Sequence, residues 1–329
     1  MSMEQVVLPA TTSTTDTKTA TTITTGVSNG IRRGVTGLAC FVFFVGFVAT
    51  GVPGAVVGSR PLLAAAQAPS RIISLVPALT EMLFAMGAGP AVVAVSSYDE
   101  DPPEVRALPR VGALVDPDVE RILSLTPDLV LTYGSQTDLR AQLARAGIRT
   151  FDYRHAGLPD VLRTMRALGE AVGHGPEAGR LAEAIEGRID RVRRAVAGRP
   201  RPRVLLVFGR EAGALRNIYA SGGRGFLHDM LVAAGGDNAF ADVDRESVQV
   251  SSEQILARAP DVILELRSSM TPQGDVAREV AAWSRLRSVP AVRDHRVHVL
   301  GGKTLVVPGP RVAESIERMA AVLHPGALK

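Results

Sequence analysis

The chain has 329 residues, enough for two domains of ordinary size, and 46% of them are apolar, so large cores can be buried. Lys and Arg number 37 against 33 Asp and Glu, and the basic residues are spread among acidic ones. This pattern argues against a nucleic-acid partner and is typical of a solvated surface. The single cysteine, Cys40, lies in an N-terminal apolar segment, so we expect neither disulfides nor thiol chemistry in the folded body.

Residues 1–68 are predicted to form a disordered tail followed by an export segment. Residues 2–29 are rich in Thr and Ser and lack apolar periodicity. Arg32 and Arg33 precede the uncharged stretch 34–59, and small residues follow at 64–68. This order is that of a secretory signal peptide, although the apolar run is also long enough to remain as a membrane anchor. Both alternatives predict a location in the periplasm or on the outer face of the cytoplasmic membrane.

From residue 71 onward, short apolar runs alternate with amphipathic stretches. We predict that Thr80 caps the first helix of this series. The alternation predicts an α/β fold with a mainly parallel sheet and helices on both faces, forming a first lobe over residues 69–175. The expected strands are 71–76, 91–97, 128–132 and 149–153, and the expected helices are 80–89, 120–125, 139–147 and 158–172.

A longer helix is predicted next, over residues 176–197. It makes up most of the segment 176–199, which is expected to connect the two lobes. Its apolar residues recur at intervals of three and four and make one stripe, formed by Leu181, Ile185, Ile189, Val192 and Val196. Residues 200–329 then form a second lobe. Its predicted strands include 203–209 and 296–302, and its predicted helices include 226–236 and 312–323.

One phrase occurs in both halves of this body. Residues 120–133 read ERILSLTPDLVLTY, and residues 253–266 read EQILARAPDVILEL. Each copy begins with Glu, continues as a short helix, turns at Pro-Asp and ends in a strand-like run. A unit used twice predicts two similar lobes, and two lobes predict a cleft between them.

Three further motifs carry a family resemblance: SLVPALTEMLFAMGAG, VSSYDEDPPEV and AAGGDNAFAD. With the repeated phrase, in this order, they resemble the periplasmic substrate-binding proteins of ABC importers for vitamin B12, haem and ferric siderophores. The likeness covers residues 70–325 and is greatest to the cobalamin-binding members. It implies two Rossmann-like lobes joined by one long rigid helix, a ligand held between the lobes with little closure, and delivery to a membrane permease with its ATPase.

In that family an acidic residue on each lobe docks on arginines of the permease, and the motif places these residues at Glu120 and Glu253. A Glu at a helix start is favoured by the helix dipole and stays ionised. The alternative is that both are merely acids in the first turn of a helix, since a repeat copies such positions too.

The resemblance also indicates ligand contacts in the cleft. Tyr98, Tyr133 and Tyr219 match aromatic positions of the cobalamin binder, and flat rings suit a flat macrocycle. The alternative is that they are half-buried packing residues. Where the cobalamin binder has tryptophans, this chain has Ala113 or Leu114 and, on the second lobe, Ser247 or Val248.

Three arginines follow predicted strand ends of the second lobe: Arg210, Arg216 and Arg267. In open α/β sheets ligands bind at that edge, so these side chains would suit the carboxylates of haem or a siderophore. The alternative is surface arginines. We expect the ligand to be a metal-bearing chelate, such as cobalamin, haem or a ferric siderophore, and expect no cofactor.

No catalytic motif was found. His295 and His298 lie three apart in a strand-like stretch, where their side chains would face opposite ways, which is poor metal geometry. There is no P-loop and no nucleophile elbow. We therefore predict that the chain is not an enzyme. An α/β oxidoreductase and a membrane-tethered sensor or adaptor that kept the binding fold remain as alternatives.

Overall fold

A computed structural model describes residues 68–268 and 273–328. Over these ranges no helix is long and apolar enough to cross a membrane. The predicted tail, the export segment and Cys40 lie outside the described residues.

The first lobe contains a parallel sheet with strand order β2-β1-β3-β4. All four predicted strands are present, because each apolar run is bounded by residues that end it. The strands are β1 (Ile72–Ser74), β2 (Val92–Val95), β3 (Leu129–Tyr133) and β4 (Arg149–Tyr153). The α-helices are α1 (Pro77–Ala85), α2 (Val119–Ser124), α3 (Thr137–Arg145) and α4 (Leu158–Val172), and short 3₁₀ helices cover Gly89–Ala91 and Pro103–Ala107.

The predicted cap at Thr80 is wrong. Helix α1 begins at Pro77, whose fixed φ suits a first turn, so Thr80 lies one turn inside the helix. Its side chain is buried, and its hydroxyl donates a hydrogen bond of 2.8 Å to the hydroxyl of Ser74. Thr80 thus connects α1 to the end of β1.

Helix α5 (Gly175–Val196) matches the predicted connecting helix within one residue at each end. It packs against α4 of the first lobe and against the last helix of the second lobe. Leu181 of the predicted stripe is only partly buried, and the buried face is formed by Ala178, Ala182, Ile185, Ile189, Val192 and Val196.

The second lobe has a mixed sheet with strand order β10-β9-β5-β6-β8 and with β7 beside β5. Strands β5, β9 and β10 are parallel, whereas β6 runs antiparallel to both of its neighbours. The strands are β5 (Arg203–Gly209), β6 (Ile218–Ser221), β7 (Asp237–Asn238), β8 (Ser247–Val250), β9 (Val262–Arg267) and β10 (Val297–Gly301). The helices are α6 (Phe226–Ala233), α7 (Ser252–Arg258), α8 (Gln273–Ala282), α9 (Pro290–Arg293) and α10 (Val312–Leu323), with 3₁₀ helices at Trp283–Leu286 and Lys303–Val306.

The repeated phrase forms the same structure in both lobes. It builds α2 and β3 in the first lobe and α7 and β9 in the second. The turn after each short helix contains a residue other than glycine with a left-handed backbone, Thr126 with φ 45° and Ala259 with φ 44°. That conformation costs roughly 1–2 kcal/mol for an L-residue, so other contacts must hold the turn.

The aspartate of each Pro-Asp pair holds the turn to the first strand of its lobe. Asp128 accepts hydrogen bonds from the backbone N–H groups of Ser70 (2.8 Å) and Arg71 (3.1 Å). Asp261 accepts one of 2.8 Å from the N–H of Arg203. Burial raises the pKa of Asp128, but the hydrogen bonds from Ser70 and Arg71 outweigh it and the net shift is downward. The repeated phrase therefore sets which strand lies beside the first strand.

Buried side chains of both lobes and of α5 form one continuous apolar cluster. Leu131 of β3, Ile185 of α5 and Leu264 of β9 all belong to it and are almost fully buried. A shared, close-packed core resists deformation. This packing agrees with the expected rigidity of the connection between the lobes.

Candidate ligand cleft and docking faces

The carboxyl ends of the first-lobe strands carry two of the predicted tyrosines. Tyr133 is the last residue of β3, and Tyr98 lies in the loop that follows β2. Tyr98 is 61% exposed. Its loop is held in place because Asp99 is buried and accepts hydrogen bonds from the N–H (2.9 Å) and hydroxyl (2.5 Å) of Ser96. The anchored loop holds an exposed aromatic ring at the sheet edge.

The Asp99 carboxyl is poorly solvated. Burial raises its pKa, the bonds from Ser96 oppose the shift, and its Oδ1 atom has no hydrogen-bond partner. Arg110 donates to the backbone carbonyls of Ser96 (2.9 Å) and Asp99 (2.7 Å). The loop therefore keeps its shape through a network that the sequence pattern did not indicate.

Tyr133 is half-buried and meets a second tyrosine edge-on. Its ring centroid lies 5.9 Å from that of Tyr153, the last residue of β4, with an interplanar angle of 68°. Burial raises the pKa of Tyr133 to about 12, and the negative charge of Asp99 adds to the shift. The phenol is therefore protonated at neutral pH and can donate a hydrogen bond.

The aromatic contacts continue from Tyr153 into the second lobe. The Tyr153 ring lies 6.2 Å from His155, and His155 lies 5.1 Å from Phe226, the first residue of α6. The Tyr153 hydroxyl and Nδ1 of His155 are 3.1 Å apart. We call Tyr133, Tyr153, His155 and Phe226 the aromatic row. Burial lowers the pKa of His155, with the negative charge of Glu246 opposing it, so the imidazole is neutral at pH 7.

Sequence reasoning missed three members of this row. One signal was available: Tyr153 ends a predicted strand beside the strand that Tyr133 ends, and the register pairs these two residues directly. His155 and Phe226 could not be found this way, because their contact depends on how the lobes pack.

Arg210, predicted to meet the ligand, lies inside the second lobe. Its guanidinium is 0% exposed and is bonded to Glu265 (2.9 Å) and Glu279 (2.7 Å). It also lies 5.5 Å from the ring of Trp283, a cation–π contact. A side chain without exposed surface cannot contact a ligand. Arg210 therefore stabilises the second lobe and is not the ligand contact that we expected.

Arg267, the last residue of β9, completes a cluster of two cations and two anions. It donates to Glu265 (2.6 Å) and Glu279 (2.7 Å), and 22% of its side chain remains exposed at the sheet edge. Burial raises the pKa of Glu279, but the N–H of Gly213 and the charges of Arg267 and Arg210 outweigh it, so the net shift is downward. We call Arg210, Glu265, Arg267 and Glu279 the ionic cluster. Its charges cancel internally.

The two remaining predicted contacts of the second lobe lie on either side of the turn into β6. Arg216 is exposed and donates to Glu211 at 2.6 Å. Tyr219 lies in β6, opposite Gly209 of β5 and Gln249 of β8, and is half-buried. Because β6 is antiparallel to β5, Tyr219 lies near the carboxyl end of β5.

Hydrogen bonds also tie the two lobes together. Arg311, just before α10, donates to Glu81 of α1 (2.8 Å) and to Asp101 (3.2 Å). Elsewhere, the N–H of Leu158 donates to Asp229 of α6 (2.8 Å). A pocket of about 390 Å³ lies at the first tie and is lined by Glu81, Phe84, Ala85, Asp101, Pro102, Pro103, Glu104, Pro310 and Arg311.

Glu120 and Glu253 both lie exposed in the first turn of their helices, α2 and α7. The two helices are capped, by Asp118 in one lobe and by Ser251 in the other. A hydrogen bond from Ser251 is the largest cause of the lowered pKa of Glu253, which is therefore ionised at neutral pH. In the described ranges no cluster of three or more His, Cys, Asp or Glu side chains could hold a metal ion.

A family model described as periplasmic binding protein matches residues 72–304. The chain belongs to this family. Among similar proteins is the uncharacterized ABC transporter substrate-binding lipoprotein YvrC of Bacillus subtilis, 30% identical over 266 residues, which are 79% of this chain and 82% of the relative. The vitamin B12-binding protein of Salmonella typhimurium is 31% identical over 227 residues, covering 68% of this chain and 81% of the relative.

Solved structures of periplasmic binding proteins share the fold. The haem-binding protein RhuT of Roseiflexus superposes with a TM-score of 0.66 at 28% identity, over 78% of this chain and 99% of RhuT. The vitamin B12-binding protein BtuF of Vibrio cholerae superposes with a TM-score of 0.66 at 27% identity, over 78% and 96% of the two chains. These likenesses confirm the predicted two-lobed α/β fold. They also confirm that this periplasmic binding protein is a substrate-binding protein and not an enzyme.

Proposed function

We propose that the protein captures a metal-bearing chelate outside the cytoplasm and delivers it to the permease of an ABC importer. The observation that carries the proposal is the aromatic edge of the first lobe, where Tyr98 is exposed and Tyr133 is half-buried. Tyr153 and Phe226 of the aromatic row are buried and pack behind this edge. Ligand sites are mostly apolar clefts with a few placed polar groups, and flat rings suit a flat macrocycle. The names of the relatives, which bind vitamin B12 or haem, support the same ligand class.

Within that class we propose cobalamin first, with haem and ferric siderophores as the alternatives. Carboxylates of haem would need free cations, and Arg210 and Arg267 are already bonded to carboxylates of the ionic cluster. Cobalamin carries amide side chains, which hydrogen-bond to neutral donors such as the Tyr133 hydroxyl. Tyr98, Tyr133 and Tyr219 are the proposed ring contacts, with Arg267 at the rim.

The ligand proposal is tested by titrating the purified chain with cyanocobalamin, haemin and a ferric hydroxamate. Absorbance of the chelate and fluorescence of Trp283, the single tryptophan, report binding. We expect cyanocobalamin to bind with a Kd below about 10 μM, or tighter than about −7 kcal/mol. Failure of all three chelates to bind at that level would contradict the proposed ligand class.

The proposed partner is a permease with its ATPase, reached through Glu120 and Glu253. Exposed charges at a rim guide orientation and association rate. Glu120→Arg with Glu253→Arg should abolish chelate uptake by cells while leaving chelate affinity unchanged. Glu183→Arg, which reverses an exposed acid on the connecting helix, is the control and should leave uptake intact. A loss of chelate affinity in the double variant would place the two glutamates in the cleft or the fold instead.

Export through the N-terminal segment is also part of the proposal. The mass of the protein isolated from producing cells distinguishes cleavage near residues 66–68 from retention of the apolar stretch as an anchor. Retention, combined with normal chelate binding and no uptake defect on deletion, would favour the sensor or adaptor alternative.

A further inference from the structure

Large apolar side chains are rarely exposed in the described parts of this chain. Those that are exposed are Tyr98, Val115, Leu123, Val232 and Leu256. Two of them, Leu123 and Leu256, occupy the same position in the two copies of the repeated phrase. Each stands three residues after the proposed docking glutamate of its lobe. Leu123 is 38% exposed and Leu256 is 42% exposed.

The geometry of the short helices places each leucine beside its glutamate. Residues three apart in a helix are surface neighbours, with Cβ atoms about 5–6 Å apart. The intervening isoleucines, Ile122 and Ile255, are fully buried and turn the opposite face of each helix to the core. Each lobe therefore presents a carboxylate and a leucine side chain side by side.

The two copies differ at most other positions of this helix. Over the first seven residues they read ERILSLT and EQILARA, so only Glu, Ile and Leu are the same. The shared isoleucine is explained by burial in the core of each lobe. The shared Glu and Leu are exposed, so burial in the core does not account for their presence in both copies.

We propose that Leu123 and Leu256 are apolar contacts of the permease-docking surface, one beside Glu120 and the other beside Glu253. The inference rests on the proposed function and adds to it the chemistry of the partner. The permease would present, at two separate places, a cation next to an apolar recess. The glutamates orient the encounter, and burial of the leucines slows dissociation.

Cross-linking tests whether the leucines meet the permease. A photoreactive benzoylphenylalanine is placed at position 123, 256 or 232 in the full chain within producing cells. Val232 is the matched control, because it is also 42% exposed but lies on α6, outside the repeated phrase. We expect adducts with an ABC permease subunit, identified by mass spectrometry, from positions 123 and 256 and none from 232. Adducts with a second copy of this chain instead would overturn the inference.

A binding measurement then tests whether the leucines contribute to the affinity for the permease. Membranes from producing cells, solubilised in detergent, are titrated with the full-length protein carrying Leu123→Gln, Leu256→Gln or Val232→Gln. We expect the permease complex to bind about tenfold more weakly for each leucine lost, the order expected for partial burial of one leucine. Val232→Gln should match the wild type, and none of the three should change chelate affinity.

The outcomes separate the two proposals. If the glutamate reversals abolish the complex but the leucine variants bind like Val232→Gln, only the docking role of the leucines is overturned. If the reversals also leave the complex intact, the docking proposal itself fails. A lowered melting temperature for the leucine variants, with permease affinity unchanged, would assign the leucines to the fold.

Discussion

The two lobes place different chemistry at the same edge of their sheets. The first lobe ends its strands in neutral rings, with Tyr133 and Tyr153 in edge contact and Tyr98 exposed on an anchored loop. In the second lobe Arg210 follows β5 and Arg267 ends β9, and both arginines are paired with Glu265 and Glu279. Both edges come from βα units with the same Pro-Asp turn.

This difference separates architecture from specificity. The repeated phrase sets the position of β3 and β9 through Asp128 and Asp261, so that part must be equal in both lobes. The residues at the strand ends are free of that constraint and have diverged. We therefore expect ligand affinity to depend mainly on the tyrosines of the first lobe. We expect the ionic cluster of the second lobe to contribute mainly to the stability of the fold.

The largest expected effect is on stability, from breaking the ionic cluster. Glu265→Leu leaves the buried guanidinium of Arg210 with one carboxylate in place of two and removes a partner of Trp283. The free energy of unfolding should fall by about 3–5 kcal/mol, measured by urea denaturation. Glu211→Leu removes the partner of the exposed Arg216 and should cost less than about 1 kcal/mol. Equal losses for the two variants would show that the cluster is not a structural element.

The next effect is on ligand affinity. Tyr133→Ala should weaken chelate binding about 10- to 100-fold, because it removes a half-buried ring from the aromatic row. Arg216→Ala, on the second lobe, should change the Kd by less than about twofold, since its charge is exposed and paired. Titration calorimetry with cyanocobalamin or haemin measures both. The comparison between the lobes is wrong if Arg216→Ala weakens binding as much as Tyr133→Ala does.

The smallest expected effect is on how stability changes with pH, and it should have opposite signs at Asp99 and at Asp128. Asp99 has a raised pKa when folded, so the native state binds its proton more tightly than the unfolded chain does. Its stabilising contribution is complete below pH 3.8 and is lost as the pH rises through the folded pKa. Asp99→Asn should therefore gain stability relative to the wild type as the pH rises.

Asp128 should behave in the opposite way, because its folded pKa is lowered. Its contribution is present above pH 3.8 and is lost as the pH falls through the folded pKa. The stability deficit of Asp128→Asn should be largest near neutral pH and should shrink below pH 3.8. Urea unfolding at about pH 3, 5 and 7 compares the two variants, and parallel trends would contradict the assigned directions.

Elements defined by local periodicity could be predicted with accurate bounds. Helices α4 and α10 have the predicted ends, and α5 differs by one residue at each end, because each carries an apolar stripe that is readable along the chain. Helices α4 and α5 also have a proline in the first turn and stop near a glycine. Strands β6 and β8 were missed. They are four residues long, and β8 is mostly exposed, so neither produces a clear apolar run.

The amino-acid sequence by itself determined the family, the two lobes, the connecting helix and the repeated unit, because these depend on local spacings or on direct repetition. Only the tertiary structure decided which of the predicted site residues are exposed and which are buried or paired. Arg210 is buried because Glu265 and Glu279, 55 and 69 residues further along, pack around it. His155 meets Phe226 because the lobes pack together there. Burial and charge pairing depend on neighbours distant in the chain, and no local pattern records them.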